Sequence, residues 1–146
     1  MLIDQVTNAG AMPSLEMTMR FAAQRQNLIA HNIANIETPD FRPLDASPRG
    51  FQKMLSEAVD ARRSSTGGAH GRLNWRETAE LKRAPDGGLS LRPTTSSRNI
   101  LFHDRNNRDL ERLMQDLAEN TQVFRTASEL MRTQVNQLQR AISERV

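Results

Sequence analysis

A seven-residue apolar repeat in the C-terminal part of the chain constrains the fold more than any other feature. Leu110, Leu117, Phe124, Met131 and Leu138 recur at that interval. Leu113, Ala127 and Ala141 lie three positions after members of the row, and Met114, Val135 and Ile142 lie four after. A period of seven keeps one side of an α-helix against another helix and implies left-handed supercoiling. The spacing predicts one helix from Asp109 nearly to the end, a rod of roughly 55 Å at about 1.5 Å per residue. Asn120, Thr121, Ser128 and Gln134 interrupt the stripe. Asn120 falls on its flank, where a buried Asn would set register between packed helices and an exposed one would not.

A second amphipathic stretch lies near the N-terminus. Leu15, Met19, Ala22, Ile29, Ile33 and Ile36 follow an alternation of four and three, broken at Gln26. Ser14 is the expected N-cap, and Glu16, Arg20, Arg25 and Asn27 fall on the opposite, polar face. The helix should end near Asn35, because Thr38 precedes a proline and is pushed out of the α region. Asn35 suits a left-handed cap, Pro39-Asp40 the centre of a turn, and Phe41 an anchor pressed back onto the helices. Pro43 and Pro48 should keep the chain beyond it extended and irregular. Phe51, Leu55 and Val59 then suggest a short helix over 51–61. The N-terminal helix is too short to cover the C-terminal stripe, so the surplus should find other chains.

The 146 residues suit one domain with a moderate core, yet core material is thin. Hydrophobic residues make up 37% and aromatics 4%, with one Trp and no Tyr. The mean hydropathy is −0.64. Such a chain buries two helices and leaves little for a separate globular body, so part of the middle is expected to be mobile. Ser64 to Gly71 reads as a loop, Pro93 to Ser97 as a flexible stretch, and Asp86-Gly87 between Leu81 and Leu89-Ser90-Leu91 as a hairpin turn. The implied organisation is a tail at 1–13, helix, turn and short helix at 14–61, a basic middle at 62–108 and the long helix at 109–146. The fold class is mainly α, with two long terminal helices pairing as a coiled coil around a loop-rich middle holding a short β-hairpin.

Net charge is only +3, but residues 61–108 carry ten bases against four acids, or +6. These bases include Arg62, Arg63, Arg72, Arg76, Lys82, Arg83, Arg92, Arg98, Arg105 and Arg108. Such a segment either meets an anionic partner or is a solvated linker. Aromatics are too few for a base-stacking platform, so nucleic acid is not the expected partner. Absent cysteine excludes disulfides and thiolate zinc sites. His31, His70 and His103 do not form ligand spacing on one element, so no metal is expected. No Gly-x-Ser-x-Gly elbow or phosphate loop occurs; no catalytic residue, cofactor or small-molecule substrate is expected. The N-terminus lacks the basic and apolar regions of a secretory signal, and no apolar run reaches the roughly 20 residues that span a bilayer. On these grounds alone the chain reads as soluble and cytoplasmic.

Asn32-Ile33-Ala34-Asn35, Thr38-Pro39 and Phe41 resemble the Asn-Ile-Ala-Asn-x-x-Thr-Pro-Gly-Tyr signature of bacterial flagellar rod and hook proteins. At the other end, Asp109-Leu110-Glu111-Arg112, Met114, Leu117-Ala118-Glu119-Asn120 and Phe124 resemble the pattern of the basal-body proximal rod branch, the FlgB type. The two matches cover residues 15–45 and 107–142, about half the chain. The resemblance implies a structural subunit, not an enzyme, whose terminal helices form the coiled-coil core of the axial rod that crosses the periplasm and transmits motor torque. Its implied partners are further copies, other flagellar rod proteins, the MS-ring or adaptor protein of the basal body, and the flagellar type III export apparatus. Export without a cleaved signal then replaces the cytoplasmic expectation. The assembly seam expected on this basis comprises Leu110, Met114, Leu117, Asn120, Phe124, Met131 and Leu138. Phe51-Gln52-Lys53-Met54-Leu55 has the Phe-x-x-x-aliphatic form of an export-gate signal. Asp40 departs from the family Gly; a positive φ there would fall on a residue that tolerates it at some cost. Pro43 and Pro48 also depart from the common continuation. Competing readings are another rod subunit, a cytosolic export adaptor that binds partner helices, and a nucleic-acid module using the basic middle.

Overall fold

The computed structural model describes residues 8–68, 70–95 and 110–143. Expectations for the tail at 1–7, for Ser96, Ser97, Arg98, His103, Asp104, Arg105 and Arg108, for a helix start at Asp109 and for the last residues, 144–146, lie outside the described residues.

The first helix, α1, spans Met12–Ala34 and starts before Ser14. Pro13 occupies its first turn, where a missing N–H goes unnoticed. Ser14 is therefore not the cap: its hydroxyl donates back to the carbonyl of Ala11 at 2.7 Å. At the other end Asn35 has φ −107°, not the left-handed conformation expected of it. Its backbone N–H and its side-chain amide both donate to the His31 carbonyl, at 3.2 and 2.8 Å. The left-handed residue is Asp40, at φ +58°. The Phe41 N–H closes that turn on the Thr38 carbonyl at 3.3 Å. Proline in the second position and positive φ in the third mark a type II turn, which glycine would adopt with less strain. Phe41 is half-buried and meets the ring of His31, 5.5 Å away at 52°. It packs on a helix end and does not belong to the core.

Asn32 ties the helix to the first strand. Its carboxamide donates to the Leu44 carbonyl at 2.7 Å and accepts from the Leu44 N–H at 3.0 Å. The buried side chain thus pairs with Leu44 as a neighbouring strand would, satisfying both main-chain groups at once. Leu44 opens that strand, β1, which spans Leu44–Asp45.

The next helix is longer than 51–61. Helix α2 runs over Pro48–Thr66, capped by Ser47, whose hydroxyl accepts from Gly50 N–H at 3.1 Å. Pro48 opens this helix instead of keeping the chain irregular, and Gly67 ends it at φ +69°. Ser64, Ser65 and Thr66 are helical, so the loop begins only at Gly67. Its buried face is Phe51, Met54, Ala58 and Arg62, with Leu55 and Val59 packed beside it. Strands β2 (Leu81–Arg83) and β3 (Leu89–Leu91) form the expected antiparallel hairpin, with Leu81 opposite Leu91. Gly87 supplies φ +80° in its turn. A short strand β4, Thr94–Thr95, pairs antiparallel with β1.

The middle of the chain, as far as residue 95, is not a bare linker. Leu73, Trp75, Leu81 and Leu89 close a core with Phe21, Ala46, Phe51, Met54 and Ala58. Phe21 and Phe51 stack at 4.1 Å with 10° between their planes. Arg83 lies over the Trp75 ring, 4.9 Å from its centre, and donates to the Trp75 carbonyl at 2.8 Å. A low apolar fraction sufficed because three elements share one compact cluster instead of each burying a separate face.

The C-terminal helix, α3, spans Leu110–Ser143, about 51 Å at 1.5 Å per residue. It packs antiparallel on α1, with Asp116 near Arg25, Asn120 at Ala22, and Val123 to Leu130 near Leu15. Helix α1 is thus the middle layer, with α3 on one side and the core cluster on the other. No residue of α3 belongs to that cluster. Among the described residues the fold is mainly helical, with two small two-stranded sheets.

Asn32→Ala leaves the half-buried Leu44 N–H and carbonyl without this partner and is expected to destabilise the chain by about 1–2 kcal/mol. Asn35→Ala, at the exposed helix end, should cost no more than about 0.5 kcal/mol. Urea unfolding followed by the emission of Trp75 checks both.

Candidate functional site

The region where α3 meets α1 holds a charged joint, a buried amide and two open grooves. The joint is built on Arg25, which is 4% exposed although the helical spacing placed it on the polar face. Its Nε and Nη2 donate to the two oxygens of Asp45 at 3.0 and 3.2 Å, a planar two-point pairing. Nη2 also donates to Asp116 Oδ1 at 3.1 Å. One guanidinium therefore ties α1, β1 and α3 together. Burial opposes its charge, but the hydrogen bonds and charge of Asp45, then of Asp116, more than offset this and raise its pKa.

Asn120 is the buried centre of the helix contact, not its flank, at 4% exposure. Its Nδ2 donates to the Ala22 carbonyl and to Gln26 Oε1, both at 2.8 Å. Gln26, the polar break in the N-terminal stripe, is thereby its partner. Seven residues on, Ala127 is also buried, and Leu113 and Gln134 are half-buried in the same row. The seam against α1 thus follows 113, 120, 127 and 134.

Of the residues expected in the assembly seam, Asn120 alone lies on this row. A step of three residues turns a helix by about 300°, so the row of Leu110 and Phe124 sits roughly 60° round from the contact. Leu117, Met131 and Leu138 are half-buried, whereas Leu110 is 47%, Met114 52% and Phe124 37% exposed. Phe124 lies outside the core cluster. It lines a groove of about 310 Å³ with Ala22, Ala23, Gln26 and Thr121. On the other flank of the seam, Leu15, Thr18, Val123, Thr126, Ala127 and Leu130 line a wider groove of about 570 Å³, with Glu119 and Gln122 beside them. Every exposed large apolar side chain among the described residues lies on α3.

The basic middle is engaged internally in several places. Arg62, buried on α2, donates to the carbonyls of Asn8, Gly10 and His70 at 2.6, 2.7 and 3.3 Å. It holds the segment before α1 against the body. Lys82 pairs with Glu77 at 3.3 Å, and Arg63 with Asp60 at 3.6 Å. Arg20 reaches from α1 to Asp86 in the hairpin turn at 3.0 Å. The Gly88 N–H and then Arg20 hold the Asp86 carboxyl below its ordinary range. Among the described residues no group of three His, Cys, Asp or Glu is arranged to hold a metal ion. No helix among them is long and apolar enough to cross a membrane.

The family-motif residues occupy distinct places. Asn32 is the internal clamp on Leu44, Asn35 a local cap, Ile33 half-buried and Ala34 exposed at the end of α1, and Thr38-Pro39 the exposed turn before Phe41. Of the pair that has the form of an export signal, Phe51 is buried at 4% and Leu55 packs against the core. The reading of Arg25 as polar-face was wrong, and a signal against it was present: it lies three residues after Ala22 and four before Ile29, both buried, at the edge of the inward stripe. No sequence signal singled out Asp45 and Asp116 as its partners. No protein-family model and no curated protein matches this chain.

Arg25→Met leaves two carboxylates, each about one-third exposed, facing a neutral side chain. Solvent reduces the roughly 3–5 kcal/mol typical of a broken buried pair, so a loss of about 2–3 kcal/mol is expected. Asp116→Asn retains the Asp45 pairing and should instead speed amide exchange along α3 while leaving the β2–β3 hairpin protected. Hydrogen exchange resolved by segment distinguishes the two effects.

Proposed function

We propose that this chain is a structural subunit of the proximal rod of the bacterial flagellar basal body, exported from the cytoplasm without a cleaved signal. It assembles with copies of itself and with other rod proteins through its terminal helices, which pair as a coiled coil. The observation that carries this reading is the confinement, among the described residues, of exposed large apolar side chains to α3, a helix outside the core cluster. Contiguous exposed apolar surface marks an interaction site. Here it is presented along a rod and not in an enclosed pocket. The resemblance of Asn32-Ile33-Ala34-Asn35 with Thr38-Pro39, and of the residues from Asp109 to Phe124, supplies the identity of the assembly.

The role is mechanical and calls for no cofactor or catalytic group. Under this reading Phe51 of the export signal is stacked on Phe21 in the folded chain, so the export apparatus reads it before folding. Folding then completes at the site of assembly, where the MS-ring or adaptor protein and neighbouring rod subunits meet α3.

Deletion of the gene should abolish swimming and stop export of later flagellar components. Phe124→Asp should do the same at normal protein level, since the side chain is partly exposed and its loss leaves the core intact. Fractionation places a rod subunit with the basal body; recovery of the wild-type chain only in the cytosol would favour an export adaptor. Normal swimming in both strains overturns the rod reading.

A further inference from the structure

The apolar arc on α3 is wider than one helix can cover. Phe124 and Leu130 are six residues apart and so about 120° apart around the helix, one on each side of the Asn120–Ala127 seam. Two flanks are left for other partners once α1 has taken the middle. On one flank Phe124 projects at 37% exposure, with Arg125 and Arg132 outside it. Neither arginine forms an ion pair among the described residues. On the other flank, Val123, Thr126, Ala127 and Leu130 line the wider groove. They stand at i, i+3, i+4 and i+7, the four corners of a hole that accepts one side chain of a facing helix. Glu119 borders it, taking a hydrogen bond from Gln115 Nε2 at 2.9 Å and pairing with no cation among the described residues.

We propose that the occupant of this groove is a second copy of the chain, whose Phe124 enters the hole formed by Val123, Thr126, Ala127 and Leu130. The proposal rests on the assembly reading and adds to it which flank meets which. An aromatic knob with a basic border on one flank and an open four-cornered hole with an acidic border on the other are complementary in shape and in charge. Because the two patches differ, each contact leaves one knob and one hole free. Copies therefore add side by side in one sense, without the closure of a two-fold dimer.

The chain has no cysteine, which makes cross-linking unambiguous. Phe124→Cys and Leu130→Cys are prepared separately, each checked for wild-type helicity, then tested alone and in equal mixture with a short bismaleimide. The expected result is covalent dimer in the mixture, at least about tenfold above that from either variant alone. Dimer from Phe124→Cys alone at the level of the mixture would overturn the head-to-tail pairing in favour of a two-fold one. A mixture that gives no dimer, although the wild-type chain self-associates in sedimentation, would overturn the contact and leave assembly standing. A wild-type chain that stays monomeric at every concentration would overturn the contact between copies; the rod reading is judged separately, by deletion and fractionation.

Discussion

One arginine determines how the parts of this molecule meet. Arg25 lies on the buried stripe of α1, where a charge is tolerated only if its hydrogen-bonding groups are met. Asp45 answers it from the strand beyond the motif turn, and Asp116 from the distant C-terminal helix. The planar guanidinium serves both directions at once, which an ammonium on a flexible stem would do less well. Around it the neutral amides repeat the arrangement: Asn32 holds Leu44, and Asn120 holds Ala22 and Gln26. Apolar packing supplies adhesion without direction; these polar contacts supply register.

The consequence is a molecule in two unequal parts. The body buries Phe21, Phe51 and Trp75 and completes its core without α3. Helix α3 contributes Ala127 and Asn120 to a narrow contact, and carries its larger apolar groups on the flanks. A seam centred on Asn120 and Ala127 brings the two helices close and leaves Leu110, Met114, Val123, Phe124 and Leu130 exposed. What remains on either side is left exposed and is the surface on which the proposed assembly would draw.

Much of this was readable from spacing. The two terminal helices, the proline that ends the first, the turn at Pro39-Asp40 and the hairpin at Asp86-Gly87 arise from local rules that do not depend on the rest of the chain. Helix α2 is longer than its apolar spacing suggests, although Ser47-Pro48 and Gly67 mark its two ends. Its inward face includes Arg62, and a charge hides a stripe from a hydropathy pattern. The core contribution of Leu73 and Trp75 was not readable at all. They sit outside helix and strand, in a segment whose composition suggests a linker, and are buried only because α2 and the hairpin close over them.

The candidate site divides in the same way. Sequence alone determined that the last helix carries an apolar stripe of seven-residue period and that one short N-terminal helix could not cover it, because periodicity and length are properties of the chain itself. Only the tertiary structure decided which row of that stripe faces inward. The choice falls to Asn120 and Ala127 over Leu117 and Phe124, since the carbonyl of Ala22 and the amide of Gln26 offer Asn120 buried partners. Asp116 meeting Arg25 holds the same face of α3 toward α1. A hydropathy pattern ranks side chains by their transfer from water; it does not contain the positions of the donors and acceptors that make burial of a polar one favourable.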